Sequence, residues 1–131
     1  MKKPTRKKLT QKIDELRRDM VRLRDKDWKD WAYCISCGAY KPISDLQAGH
    51  FYLRQYDFTT LLLTEYRNVN LQCQQCNGFK HGNLAGYAVG LQRKYGKKIL
   101  FELEKKYKTP HYWKYTELLD VVEELKKLNE H

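Results

Sequence analysis

The sequence lacks long hydrophobic runs, internal repeats and low-complexity tracts beyond a basic N-terminus. No segment approaches the ~20 consecutive apolar residues of a membrane-spanning helix, so we expect no membrane partner. The basic start, MKKPTRKK, leads into an amphipathic stretch and not into the apolar core of a signal peptide. These absences predict a cytoplasmic protein that stays in the compartment where it is made.

Acidic residues are scarce relative to basic ones, since 16 Asp and Glu stand against 26 Lys and Arg and give a formal net charge of +10. Residues 1–31 carry 12 basic and 6 acidic side chains, residues 32–90 carry 4 and 3, and residues 91–131 carry 10 and 7. Basic flanks around a nearly neutral centre suit a protein whose flanks hold the phosphates of a nucleic acid. Helices with ordinary solvated lysines are the alternative explanation.

A chain of 131 residues has room for one compact domain, because single hydrophobic cores usually occupy ~100–200 residues. Hydrophobic residues make up 41% and charged residues 32%, shares that are typical of folded proteins and exclude a wholly disordered chain. We therefore expect one folded domain.

Apolar residues recur every three or four positions from residue 9 to about residue 31, which predicts an amphipathic N-terminal helix. Trp28 and Trp31 extend its apolar side in this prediction. A helix that packs on the domain is favoured over a dimerising coiled coil, which needs more heptads. Similar stripes predict three helices in the C-terminal part. The residues of the four stripes are Leu9, Ile13, Leu16, Met20 and Leu23; Leu84, Tyr87, Ala88, Leu91 and Tyr95; Ile99, Leu100, Leu103 and Tyr107; and Leu118, Leu119, Val122 and Leu125.

The centre of the chain has a different pattern. Residues 47–53 form a short β-prone run, and residues 69–71 are its predicted partner strand. The structure of residues 54–68 is left open by the pattern, and long loops of this kind are often functional. We expect the second cysteine pair, Cys73 and Cys76, to open a helix that runs through Lys80.

Two matched cysteine pairs, Cys34-x-x-Cys37 and Cys73-x-x-Cys76, are separated by 35 residues. Four thiolates in two turns are the ligands of a tetrahedral structural zinc, and a reducing cytosol favours a metal over disulfides. Free buried cysteines or a redox pair are the alternatives. A closed zinc site stabilises a fold and does not catalyse, so any catalysis requires other residues.

His50, Asn77 and His81 are the candidates for chemistry. Hydrolysis of a phosphodiester needs a base that deprotonates water and a divalent cation that stabilises the leaving oxygen. Asn77 and His81 are four residues apart, so on the predicted helix they share one face. A surface histidine without such a role is the ordinary alternative.

Four segments between Cys34 and Tyr87 read CISCG, QAGHF, RNVNLQC and QCNGFKHGNLAGY. In this order they resemble the NinG (Rap) recombination proteins of lambdoid bacteriophages, which are structure-specific endonucleases of the HNH, or ββα-metal, group. The resemblance implies an α+β fold with a zinc-stapled ββα-metal core at residues 32–90. A basic amphipathic helix at residues 1–31 and a helical extension at residues 91–131 flank this core within one domain.

The resemblance also implies roles for individual residues. His50 corresponds to the general base, Asn68 to the asparagine that braces the loop and orients this histidine, and Asn77 to a ligand of the catalytic Mg²⁺ or Mn²⁺. His81 corresponds to a further metal-binding histidine of some HNH proteins. Many HNH enzymes have an aspartate or histidine before the base, where this chain has Gly49. Asp45, or DNA phosphate and water, would then complete the metal shell.

Branched DNA, such as Holliday junctions or D-loops, is the substrate that the resemblance implies, in the cytoplasm of a bacterial host if the chain is phage-encoded. Two symmetric nicks at a junction suit a two-fold homodimer, with the N-terminal or the C-terminal helix at the interface. The candidate phosphate contacts are Lys12, Arg17, Arg18, Arg22, Arg24, Arg54 and Lys80.

Two functions of other classes remain open from the residues alone. A non-catalytic zinc-ribbon DNA-binding module explains the charge and the cysteines, but not the combination of His50, Asn68 and Asn77. A zinc-dependent protein-interaction adaptor explains the helices and leaves the basic excess without a purpose.

Overall fold

The computed structural model describes residues 2–53 and 64–130, and within them the fold is α+β, as predicted. No helix in these ranges is long and apolar enough to cross a membrane. The helices are α1 (Arg6–Asp25), α2 (Leu84–Tyr95), α3 (Ile99–Tyr107) and α4 (Tyr115–Leu128), and the strands are β1 (Trp31–Tyr33), β2 (Tyr40–Pro42), β3 (Leu46–His50) and β4 (Val69–Cys73).

The N-terminal helix α1 begins earlier and ends earlier than its apolar stripe predicts. The Thr5 hydroxyl caps it by accepting a hydrogen bond from the Lys8 N–H. After α1 ends, the Asp27 carboxylate accepts the backbone N–H groups of Lys29 and Trp31, at 2.8 and 3.0 Å. A side chain that satisfies these donors competes with helix continuation. The predicted extension through Trp28 and Trp31 is therefore wrong: Trp28 is 86% exposed and Trp31 belongs to β1.

The main hydrophobic core lies between the two terminal helices and the β3–β4 hairpin. The apolar stripe of α1 packs against that of α4 and against one face of the hairpin. Helices α2 and α3 form a second cluster beside it. The buried residues of the main core include Leu9, Ile13, Met20, Val21, Leu46, Val69, Leu71, Leu118, Val122 and Leu125, and those of the second cluster are Tyr87, Leu91, Ile99 and Leu103.

Strands β3 and β4 pair antiparallel, which confirms the predicted pairing although β3 ends at residue 50 and not at residue 53. The register places Gln47 opposite Gln72, Gly49 opposite Asn70, and His50 opposite Val69. Because side chains alternate along a strand, one face of the hairpin meets α1 and the other carries Gln72 and Asn70. Both of these polar residues are completely buried.

The chain after β4 departs from the predicted helix. A single π-helical turn spans Gln75–Phe79, and the following backbone has positive φ at His81, at 49°. The Gly82 N–H donates to the Cys76 carbonyl, which closes the turn instead of extending it. Asn77 therefore lies within the turn and His81 beyond it. The prediction that they share one face of a helix is wrong.

Candidate metal and catalytic sites

The four cysteines converge on one point. Their sulfur atoms all lie within 4.8 Å of one another, and the sulfurs of Cys37 and Cys73 are 3.7 Å apart. A tetrahedral zinc with Zn–S bonds of about 2.3 Å separates its sulfurs by about 3.8 Å. Cys34, Cys73 and Cys76 are buried, whereas Cys37 is exposed. The cluster therefore has the ligands and the spacing of a closed structural zinc site, in agreement with the sequence.

Backbone contacts hold the two cysteine pairs together. The turn that carries Cys34 and Cys37 joins β1 to β2, and the Ile35 N–H donates to the Leu71 carbonyl of β4 at 2.9 Å. Gly90 of α2 packs against the same turn, because a Cβ at this position would overlap the Ile35 carbonyl oxygen. Gly86 packs against the turn in the same way, because a Cβ there would overlap the Ser36 carbonyl oxygen.

The thiols of the cluster differ in acidity before a metal binds. Burial disfavours the Cys73 thiolate, but hydrogen bonds from the Cys76 backbone and from the thiols of Cys34, Cys37 and Cys76 together outweigh this effect and lower the pKa of Cys73 to about 7. Burial raises the pKa of Cys76 to about 12. A thiol that ionises near neutral pH provides a first ligand for an incoming cation.

A cleft of about 580 Å³ lies between α1 and the end of the β3–β4 hairpin. His50, the last residue of β3, and Asn77, from the turn after β4, both line it. Three basic residues of α1, Arg17, Arg18 and Arg22, line the same cleft from the opposite wall. The structure thus brings a histidine, an asparagine and the charged residues of one helix face to one cavity.

Asn68 fixes the backbone directly after His50. Its side-chain oxygen accepts the Tyr52 N–H at 2.9 Å, and its side-chain nitrogen donates to the Tyr52 carbonyl at 3.0 Å. Its own carbonyl accepts the Phe51 N–H at 2.9 Å. Asn68 is 1% exposed, so these bonds are shielded from water. The contacts are those of a residue that braces the chain around His50.

Tyr87 is a site residue that the sequence did not reveal. Its hydroxyl donates to the carbonyl of Gly49 at 2.6 Å and accepts a hydrogen bond from Asn70 at 3.3 Å. Burial raises the pKa of Tyr87 above its ordinary value, so the hydroxyl keeps its proton. In the sequence, Tyr87 is only one member of the apolar stripe of α2.

Gln72 is a second residue without a sequence signal. Its side-chain nitrogen donates to the Ser36 hydroxyl at 2.8 Å and to the Gly82 carbonyl at 2.7 Å. Asn77, on the neighbouring turn, donates to the side-chain oxygen of Gln47 at 2.6 Å. A Cβ built at Gly49 would overlap the side-chain oxygen of Gln72 and would lie 3.0 Å from that of Asn77.

Other candidate residues lie apart from this cleft or are engaged elsewhere. Asp45 lines an adjoining cavity that shares only Gln47 with the cleft. His81 and Lys80 are exposed beyond the turn. Arg24 donates to the carbonyls of Tyr66 and Val69 and pairs with Asp25, so its guanidinium is used within the protein. Two further candidates remain: Lys12 is exposed and pairs with Glu15 at 4.0 Å, and Arg54 lies outside the described residues.

Comparison with known proteins identifies relatives that all carry the same family name. The family model described as bacteriophage lambda NinG protein matches residues 1–130. The chain is 34% identical over 93 residues to Protein ninG of Escherichia phage lambda and to that of Escherichia phage 933W, and 36% identical over 93 residues to that of Salmonella phage P22. Each match covers 71% of this chain and 42% of the relative, so the chain spans less than half the length of these proteins.

No solved structure shows a significant match to the chain. The matched range spans nearly all of the sequence, and the cysteine pairs, His50, Asn68 and Asn77 lie within it. The chain therefore belongs to the bacteriophage lambda NinG protein family.

Proposed function

We propose that this chain is a metal-dependent DNA endonuclease with a ββα-metal (HNH) core formed by β3, β4 and the turn after β4. The observation that carries the proposal is the cleft that His50 and Asn77 share with Arg17, Arg18 and Arg22. Arginines neutralise phosphates, and a base with a cation beside a bound phosphodiester can hydrolyse it. A binding module needs the basic wall but not the adjacent histidine and amide.

His50 acts as the general base in this proposal. Its imidazole accepts a proton from a water molecule, whose oxygen attacks the phosphorus in line with the 3′ oxygen. The bond between phosphorus and the 3′ oxygen breaks, and the departing oxygen takes a proton from water, which leaves 5′-phosphate and 3′-hydroxyl ends. Asn68 and Tyr87 fix the backbone on either side of His50 and so orient the imidazole. When bound, a divalent cation supplies positive charge that stabilises the departing oxygen.

The donor chemistry of the cleft fits Mg²⁺ or Mn²⁺. The side-chain oxygen of Asn77 is a hard, neutral ligand, which suits these ions better than zinc. Asp14 and Glu15 of α1 line the same cleft and bring carboxylates close to it. Such cations keep several waters, so a few protein ligands are sufficient.

We further propose that the substrate is branched DNA and that two copies of the chain act on one junction, because a pair of symmetric nicks resolves a four-way junction. The apolar stripes of α1 and α4 already cover each other in one chain. A dimer would therefore use other surfaces of these helices. Sedimentation of the intact chain with and without junction DNA tests this point, and a monomer in both would exclude it.

The experiment that tests the nuclease is a cleavage assay on matched duplex, single-stranded and four-way-junction DNA with Mg²⁺ or Mn²⁺. We expect metal-dependent cleavage of the junction, with 5′-phosphate product ends. Tight binding of all three DNAs without cleavage of any would instead support a zinc-ribbon DNA-binding protein.

A further inference from the structure

We propose that the side-chain oxygen of Gln72 is a ligand of the divalent cation, together with that of Asn77, and that Gly49 is the residue that makes room for it. This inference rests on the nuclease function proposed above. It identifies a metal ligand that replaces the side chain that Gly49 lacks.

The orientation of the Gln72 amide is fixed by its partners. The Gly82 carbonyl can only accept a hydrogen bond, so the atom of Gln72 that lies 2.7 Å from it must be the nitrogen. The Ser36 hydroxyl is a second partner of that nitrogen, at 2.8 Å. The side-chain oxygen therefore points the other way, toward Gly49 and Asn77.

Burial of the Gln72 side-chain oxygen is energetically unfavourable. The residue is 0% exposed, and no donor within residues 2–53 and 64–130 reaches this oxygen. A buried carbonyl oxygen without a partner destabilises a fold, because it has lost its hydrogen bonds to water. A bound cation would satisfy it.

Gly49 occupies the position at which many HNH enzymes carry a ligand side chain. A Cβ at Gly49 would overlap the Gln72 side-chain oxygen. The same Cβ position lies 3.0 Å from the Asn77 side-chain oxygen. Since Gly49 pairs with Asn70, Gln72 is its diagonal neighbour on the same face of the hairpin. The ligand oxygen thus comes from β4 where other enzymes take it from β3, and only glycine at position 49 leaves the space free.

The two amide oxygens predict the character of the site. They are hard and uncharged, so they favour Mg²⁺ or Mn²⁺ and bind either ion weakly, with water and DNA phosphate as the remaining ligands. A carboxylate in place of either amide should strengthen binding.

Manganese binding to the zinc-loaded chain, followed by electron paramagnetic resonance, tests the inference without any use of activity. We expect Gln72→Ala and Gly49→Ala each to lower the affinity for Mn²⁺ at least about tenfold. The double variant Gly49→Asp with Gln72→Ala should regain it, because the aspartate fills the vacated space with a ligand. Gln74→Ala and Gln75→Ala are matched controls on exposed neighbours and should bind like the wild type.

A second measurement uses only the unaltered chain and so does not depend on how the variants fold. In nuclear magnetic resonance spectra, Mg²⁺ should shift the side-chain amide signals of Gln72 and Asn77, and Mn²⁺ should broaden them more than those of Gln74 and Gln75. A Gln72 signal that stays unchanged while that of Asn77 moves would overturn the inference.

The outcomes separate this inference from the proposed function. Wild-type affinity for Mn²⁺ in a folded Gln72→Ala variant overturns the inference alone. A wild-type chain that binds no Mn²⁺ at all overturns both. If Mn²⁺ binding depends on Gln72 but the chain cleaves none of the DNAs, the metal site is supported and the nuclease function is excluded.

Discussion

At the scale of single residues, the path of the chain after His50 is set by one buried side chain. Asn68 holds both the N–H and the carbonyl of Tyr52, as a paired backbone segment would. Burial makes these bonds hard to replace with water.

We predict that Asn68→Ala lowers the free energy of unfolding by about 1–3 kcal/mol, because the two Tyr52 groups lose their partner. Denaturant unfolding of the zinc-loaded chain measures this effect. Asn68→Asp is the matched variant: it keeps the acceptor for the Tyr52 N–H but cannot donate to the Tyr52 carbonyl. Equal stability of all three proteins would show that Asn68 does not brace the chain.

The sequence predicts some site residues and conceals others for a physical reason. His50, Asn68 and Asn77 stand in motifs with fixed spacing, so their positions are visible in one dimension. Gln72 and Tyr87 form their hydrogen bonds only after the chain has folded and brought distant residues together. Before folding, they resemble an ordinary strand residue and an ordinary apolar helix residue.

At the scale of elements, α1 has two roles on its two sides. Its apolar stripe packs on α4 and the hairpin, while Arg17, Arg18 and Arg22 line the cleft. Arg17 is only 2% exposed and pairs with Asp14, whereas Arg18 is about half exposed. Arg18 is therefore the better residue for a test of phosphate binding.

We predict that Arg18→Ala weakens DNA binding about equally for all sequences and reduces the slope of log affinity against log salt by about one. Fluorescence anisotropy at several salt concentrations measures this slope. Lys127→Ala, on the exposed surface of α4 outside the cleft, is the matched control and should leave the slope unchanged. The same slope for Arg18→Ala and the wild type would remove α1 from the proposed DNA surface.

Glu65 joins the turn before β4 to α3 through ion pairs with Arg67 and Lys106. Burial of Glu65 favours its neutral form, but these cations outweigh that effect and lower its pKa from 4.5 to about 2. The folded state thus favours the carboxylate. Its contribution to stability is complete above about pH 4.5 and is lost as the pH falls toward 2.

Glu65→Gln should therefore reduce the free energy of unfolding by about 1–2 kcal/mol at pH 7, and the difference from the wild type should shrink as the pH falls. Denaturant unfolding between pH 7 and pH 3 measures this difference. A difference that is constant with pH would contradict the role of the ion pairs.

The helix stripes also show where prediction of elements succeeds. Apolar residues recur with the helical period in α2, α3 and α4, and these segments form the predicted helices. The spacing of apolar residues predicts neither the residue at which α1 ends nor the π-helical turn. The former depends on the Asp27 carboxylate, and the latter on hydrogen bonds to the carbonyls of Gln75 and Cys76.

At the scale of the whole molecule, the cysteine cluster joins the β1–β2 turn to β4 and to the turn after it. Cys73 is the last residue of β4 and pairs with Leu46, so the cluster lies at the end of the hairpin opposite His50. Zinc should thus stabilise the site from a distance without taking part in the reaction.

We predict that Cys34→Ser abolishes zinc binding and lowers the melting temperature by roughly 10 °C or more, which corresponds to a loss of about 3 kcal/mol in a domain of this size. Metal analysis and circular dichroism measure the two effects. Ser44→Ala, on an exposed residue, is the control. Full stability after loss of the zinc would refute a structural role for the cluster.

The most direct test of the account is the rate at which the zinc-loaded chain cleaves four-way-junction DNA with Mg²⁺ in a single turnover, compared between the wild type and His50→Ala. We predict a rate at least about 100-fold lower for the variant, with zinc content and junction affinity unchanged within about twofold. His111→Ala, whose histidine pairs with Glu117 away from the cleft, should cleave like the wild type. A His50→Ala variant that cleaves at the wild-type rate would contradict the assignment of His50 as the general base.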